Sequence, residues 1–174
     1  MSLYGDPDEL DRIASQIERR ATDVRERGGE MVSRAEAMQW RSVAADRCRE
    51  TVGGDRRDLD QVAGRLDEAA AALRRHAQEV RELLALIKRI EDAVVGWFNS
   101  AIDRFNRAVD SFRDAVSDMA GAVGDFLGFG GGDPPSPPTP PWQNWPHQPG
   151  NLPASGDKAW LDVGRFMQAQ GVLR

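Results

Sequence analysis

Apolar residues at Leu10, Ile13, Ile17, Ala21, Val24, Gly28, Met31, Ala35 and Met38 recur at three- and four-residue intervals. That spacing lines one face of a helix of about 30 residues, or ~45 Å. Asp6-Pro7-Asp8-Glu9 precedes the stripe, and an aspartate before a proline with acids in the first turn is a helix-start signal. The stripe stops at Gln39-Trp40-Arg41-Ser42, where the Ser42 hydroxyl is placed to cap a second helix. A second stripe then runs through Ala45, Cys48, Val52, Leu59, Val62, Leu66, Ala69, Leu73, His76, Val80, Leu83, Ile87, Ile90 and Val94. A short connection between two amphipathic helices makes them antiparallel neighbours, so helix one should cover helix two to about Leu73. Gly28-Gly29 and Gly53-Gly54 lie about equally far on either side of Arg41. Either the pairs face one another and let the helices approach or bend, or each glycine is a tolerated weak point of about 1 kcal/mol relative to alanine.

A different pattern starts after Val94. Phe98, Phe105, Phe112, Met119 and Phe126 recur every seven residues, interleaved with Ile102, Val109, Val116 and Val123, which reads as a heptad seam for a partner. It is out of phase with the stripe before it, and three successive steps of four from Ile90 to Ile102 form a stutter with Gly96 inside. Ser100 followed by Asp103 weakly resembles a capping box and favours a break and a third helix; the competing arrangement is one continuous helix. Gly128-Phe129-Gly130-Gly131-Gly132 ends the pattern. All prolines but Pro7 then fall between Pro134 and Pro153, a sharp boundary into extended, polyproline-like chain. Beyond it, Trp160, Val163, Phe166 and Met167 form one face of a short helix, marginal alone and in need of a surface. The expected architecture is all-α: an elongated antiparallel helical hairpin (1–95), a third long helix or helix extension (96–128), a Gly/Pro-rich linker (129–154) and a short C-terminal helix (155–174).

Charge narrows the function. The 28 acidic and 23 basic residues give a formal charge of -5 and alternate in sign, so pairs such as Arg19-Arg20 and Arg74-Arg75 read as solvated helix faces and not as a nucleic-acid footprint. The lone Cys48 cannot form an intrachain disulfide, which leaves the redox compartment open. No basic segment followed by an apolar run opens the chain, and no stretch approaches ~18 uninterrupted apolar residues, so neither a conventional signal peptide nor a transmembrane segment is expected. The chain should be cytoplasmic or secreted by a signal-peptide-independent route.

Candidate chemistry is sparse. His76 on the second stripe reads as a partly buried packing residue and Cys48 as a buried thiol, while His147 lies in the proline-rich tail; no metal-ligand spacing accompanies them. Gly130-Gly131-Gly132 lacks the lysine and following helix of a phosphate loop. No catalytic residue, cofactor or small-molecule substrate is expected, and the remaining candidates are docking elements. Trp40, Arg41 and Ser42 either pack across the turn or present a recognition element. The row from Phe98 to Phe126 reads as core or self-association surface, the acids among its arginines opposing a membrane-inserting role. In the tail, Trp142, Trp145, Trp160 and Phe166 are candidates for docking on the chain's own helices or on a partner, with linker as the default reading of the proline-rich part.

The Trp40-Arg41-Ser42 turn between two amphipathic helices, followed by Ala44-Ala45, Cys48 and Val52, resembles the WXG family of ESAT-like helical hairpins exported by type VII secretion. The resemblance covers roughly Leu3 to Leu86, with Ser42 in place of the family's glycine. It implies a secreted or secretion-associated hairpin that pairs as a homodimer or heterodimer, with no cofactor and no catalytic residue. The family's Tyr-x-x-x-Asp/Glu export signal after the second helix is absent; Tyr4 to Asp8 has the spacing but precedes helix one. The length beyond Asp92 looks like that of extended actinobacterial-type members, whose extra C-terminal segments often carry a toxin, although ~80 helical and proline-rich residues are few for an enzyme domain. A cytosolic coiled-coil adaptor or chaperone is the alternative, and a membrane-active amphipathic protein a weaker one.

Overall fold

The computed structural model describes residues 6–123 and 136–173, and only the backbone of 119–123. The fold is all-α, with α1 over Pro7–Ala37, α2 over Val43–Val123 and α3 over Trp160–Ala169. The chain separates into two compact units, Met1–Leu83 and Leu84–Arg174.

The first unit is a helical hairpin. Asp6 caps α1, its carboxylate accepting from the Asp8 N–H at 3.0 Å, and Pro7 fills the first position, where its missing N–H costs nothing. Ser42 starts α2 by accepting from the Ala45 N–H at 3.1 Å. The residues buried along α1 are all small and seven apart: Ala14, Ala21, Gly28 and Ala35. Ala63, Ala70 and Ala77 of α2 are also fully buried at seven-residue spacing. Small residues on both seams let two backbones approach closely while Ile17, Val24, Leu59, Leu66 and Leu73 close the flanks at half-buried positions. This corrects the stripe read from the sequence. Cys48, Ala69 and His76 are exposed, Val62 is 45% exposed, and the neighbours Ala63, Ala70 and Ala77 face α1 instead. The pattern misled because alanine carries little apolar weight, whereas valine one position earlier carries much.

Register is fixed by charge as well. Arg81 contacts Asp8 and Asp11 at 2.6 and 2.7 Å, Arg74 pairs with Glu18, and Asp67 pairs with Arg25. The three rungs are seven residues apart on each helix, and the sign reverses at the third. Sliding one helix by a heptad therefore sets Arg25 against Arg74 in one direction and Glu18 against Asp67 in the other. Exposed pairs of this kind are screened by solvent and salt, so the ladder selects alignment more than it adds stability. The cover extends to Arg81, one turn or more beyond the Leu73 expected.

Of the two glycine pairs, only the first is shaped by its surroundings. A Cβ on Gly28 would stand 2.9 Å from Arg56 Cδ and 3.3 Å from Leu59 Cδ1, whereas Gly53 and Gly54 face open space. The two pairs do not pack against one another. The gap beside Gly28 admits Arg56, whose Nη1 donates to the Arg25 carbonyl at 2.9 Å and whose Nε pairs with Asp60.

The second unit is built on Leu84–Val123 of α2. There is no break at Gly96, and the expected third helix is an extension of α2. Along this unbroken helix the buried positions pass from Ala63, Ala70 and Ala77 to Val80, Ile87, Val94 and Ala101, three residues on, with Phe98 buried between the last two. The largest fully buried side chains of the described residues all belong here: Phe98, Ile87, Met167, Val94 and Val163. Three of these lie on α2 and two on α3, so α3 and the segment before it supply the other half of an apolar core. Gly171, at φ +70°, ends α3 in a Schellman arrangement: the N–H of Val172 donates to Met167 and that of Gly171 to Gln168.

Candidate protein-interaction surfaces

The hairpin turn is held from below by an arginine. Arg49 Nη2 donates to the carbonyls of Met38 at 3.0 Å and Trp40 at 3.3 Å, and its Nε donates to that of Ala35 at 3.3 Å. These carbonyls close α1 and would otherwise lack intrahelical partners. Arg49 also pairs with Asp46 at 3.1 Å. Above this clamp Trp40 is 50% exposed, with its indole N–H donating to Met38 Sδ at 3.2 Å. Arg41 is exposed and Val43 is 71% exposed. A polar cleft of about 700 Å³ opens beside the turn, bordered by Glu36, Gln39, Arg41 and Asp46. The turn thus presents a backbone held by Arg49, a half-exposed indole and side chains of both charge signs. Arg49 was missed from sequence because an arginine on a seam row looks like an ordinary solvated charge.

In the second unit the tail aromatics converge on α2. Trp145 stacks on Trp97 at 5.2 Å, and Trp142 meets Phe98 and Phe105 edge to face at 6.0 Å each. Phe166 of α3 meets Trp145 at 5.4 Å and His147 at 5.5 Å. Trp160 is buried, and its indole N–H donates to the Ala154 carbonyl at 2.9 Å. Buried indoles need such a partner. The proline-rich stretch gives up extended structure at its end: the Gln143 N–H returns to Pro140 and the Trp145 N–H to Trp142, each at 3.0 Å. Glu91 receives the far side of the tail, accepting from Ser155 Oγ at 3.0 Å and the Gly156 N–H at 3.3 Å. Trp142, Trp145, Trp160 and Phe166 are therefore brought to one surface of their own chain. Trp97 and Glu91 complete it, and the adjacency of Trp97 to Phe98 was the available signal.

The heptad seam divides. Phe98 is 2% exposed beneath the tail, while Ile102, Phe105, Val109 and Phe112 are half-buried and Val116 is 40% exposed. The side chain of Met119 and all of Phe126 lie outside the described residues. His76 is exposed beside Glu79 at 3.7 Å, and Cys48 is exposed; both had been expected in or near the core. Both sit on the outward side of α2, each one residue before a member of the seam row, Arg49 or Ala77. Among the described residues no cluster of three or more His, Cys, Asp or Glu side chains is arranged to hold a metal ion, and no helix is long and apolar enough to cross a membrane.

No protein-family model, no curated protein and no solved structure matches the chain.

Proposed function

We propose that the chain is a non-enzymatic, WXG-like substrate of type VII secretion, or a targeting partner for another effector, that acts by helix-helix docking as a homodimer or heterodimer. The observation carrying this reading is the half-exposed Trp40 on a turn clamped by Arg49, between a 31-residue helix and a much longer one. An indole that merely stapled the turn would be covered by it; here the stapling is done by Arg49 and Ser42, which leaves Trp40 available to a partner. The ion-pair ladder sets the register of α1 on α2 within one chain, consistent with the helical hairpin that this reading needs. Localisation outside the cell follows from this reading, by a route independent of a signal peptide.

A cytosolic coiled-coil adaptor or chaperone is the second reading, favoured by the second unit, where an aromatic tail on α2 resembles a self-bound client segment. Fractionation of the producing organism with and without its type VII ATPase separates them. The first reading expects the chain in culture filtrate only when the ATPase is present. Retention in the cytoplasm of both strains supports the second.

A further inference from the structure

The second unit contains an open groove of about 690 Å³ between α2 and α3. Its floor is apolar, from Leu86, Ile90 and Ala93 of α2 and Leu161 of α3, with Leu173 closing one end. The helices come closest at Gly164, where a Cβ would stand 3.0 Å from two carbons of Ile90, and the groove opens beside that contact. Leu86 is 40% exposed in it. Each wall carries one arginine, Arg89 on α2 and Arg165 on α3, and among the described residues no carboxylate lines the groove. Asp162 pairs with Arg165 without being part of the lining.

We propose that this groove is a docking site for an amphipathic helix of a partner protein whose apolar stripe is flanked by carboxylates on both sides. Leu86 to Ala93 and Leu161 to Gln168 each span eight residues, about two helical turns, which matches anchors at i, i+3 or i+4, and i+7 of an incoming helix. Arginines on opposite walls meet charges on both flanks of that stripe. A single-headed amphiphile presents one anion at one end and leaves the other guanidinium unused. Charge complementarity of this kind selects the partner and its orientation more than it adds affinity. The site is independent of the export reading: it requires neither Trp40 nor secretion.

The test uses the full chain and two fluorescein-labelled helical peptides of about 15 residues. Both carry leucines at i, i+3, i+4 and i+7; one has glutamates on the flanks and the other lysines at the same positions. Fluorescence anisotropy is expected to show binding of the glutamate peptide at least about fivefold tighter than the lysine peptide. The double variant Arg89→Glu/Arg165→Glu should reverse that preference. Ala93→Trp, at an exposed position that fills the groove, should abolish binding of both. Far-UV circular dichroism and thermal melting followed at 222 nm check that the variants retain the fold. Equal binding of the two peptides, or a preference the double variant leaves unchanged, overturns the proposal. So does arginine-dependent binding of dodecanoate without binding of the peptide, or a concentration-dependent dimer of the chain that Ala93→Trp dissolves.

Discussion

Replacing Ala70 with leucine, beside a control at Ala69, measures how closely the hairpin helices pack. Ala70 is fully buried between the Arg74–Glu18 and Asp67–Arg25 rungs, where α1 offers the equally buried Ala21. Ala69, one residue away, is exposed. Leucine and alanine both favour helix, so propensity changes little in either variant. At Ala70, three extra carbons have no space unless the helices separate, and overpacking of this kind costs about 1–3 kcal/mol. A domain of this size loses roughly 4–8 °C of Tm per kcal/mol, so a loss on the order of 10 °C is expected for the hairpin. At Ala69 the added carbons meet solvent, and the change should stay within about 0.5 kcal/mol. Thermal unfolding by circular dichroism, with tryptophan emission as a second probe, separates the units, because four of the five tryptophans lie in the second and only Trp40 in the first. A destabilised Ala69→Leu beside an unaffected Ala70→Leu would mean that the valine-bearing row faces α1, and would refute the alanine seam.

The glycines should respond unequally. Gly53→Ala and Gly54→Ala, facing open space, are each expected to stabilise the hairpin by about 0.5–1 kcal/mol in urea titration, whereas Gly28→Ala should not, because its Cβ displaces Arg56 from the Arg25 carbonyl. Phe98→Ala removes a side chain 2% exposed under the tail; a loss of about 3–5 kcal/mol and red-shifted tryptophan emission are expected from the second unit, with the hairpin transition unmoved. The hydrogen bond from Arg12 holds the Glu9 carboxyl below its ordinary range, so its stabilising contribution is complete above that range and is lost as pH falls through the lowered folded value. Carboxyl NMR titration should show the depressed midpoint, and Arg12→Ala should return it towards the ordinary value.

Some of this architecture could be read directly from residue types. Asp6-Pro7 and Ser42 mark helix starts by local hydrogen bonding, and both caps form as their chemistry requires. The tail helix was readable because Trp160, Val163 and Met167 are large and share a face, and all three are buried. The hairpin seam was harder. Close approach is achieved with alanine and glycine, which leave almost no apolar signal, so the periodicity followed Val62 and His76 to the wrong side of α2. Phe98 to Phe112 looked like the start of a separate helix because the buried positions shift along α2, from the alanine row to Val80, Ile87 and Val94, without any break in the backbone. The Arg49 clamp and the Glu91 anchor depend on contacts 14 and 64 residues apart in sequence, which no local pattern encodes.

On the proposed reading, the Trp40 side chain serves export, while Ser42 and Arg49 hold the turn. The most direct measurement is the amount of chain in culture filtrate for wild type and Trp40→Ala, each with and without the type VII ATPase, alongside a cytosolic lysis marker. Wild type is expected to be released only with the ATPase present, and Trp40→Ala to show a marked loss of release with unchanged cellular level and melting temperature. Release of Trp40→Ala equal to wild type, or release that tracks the lysis marker when the ATPase is absent, would contradict this reading.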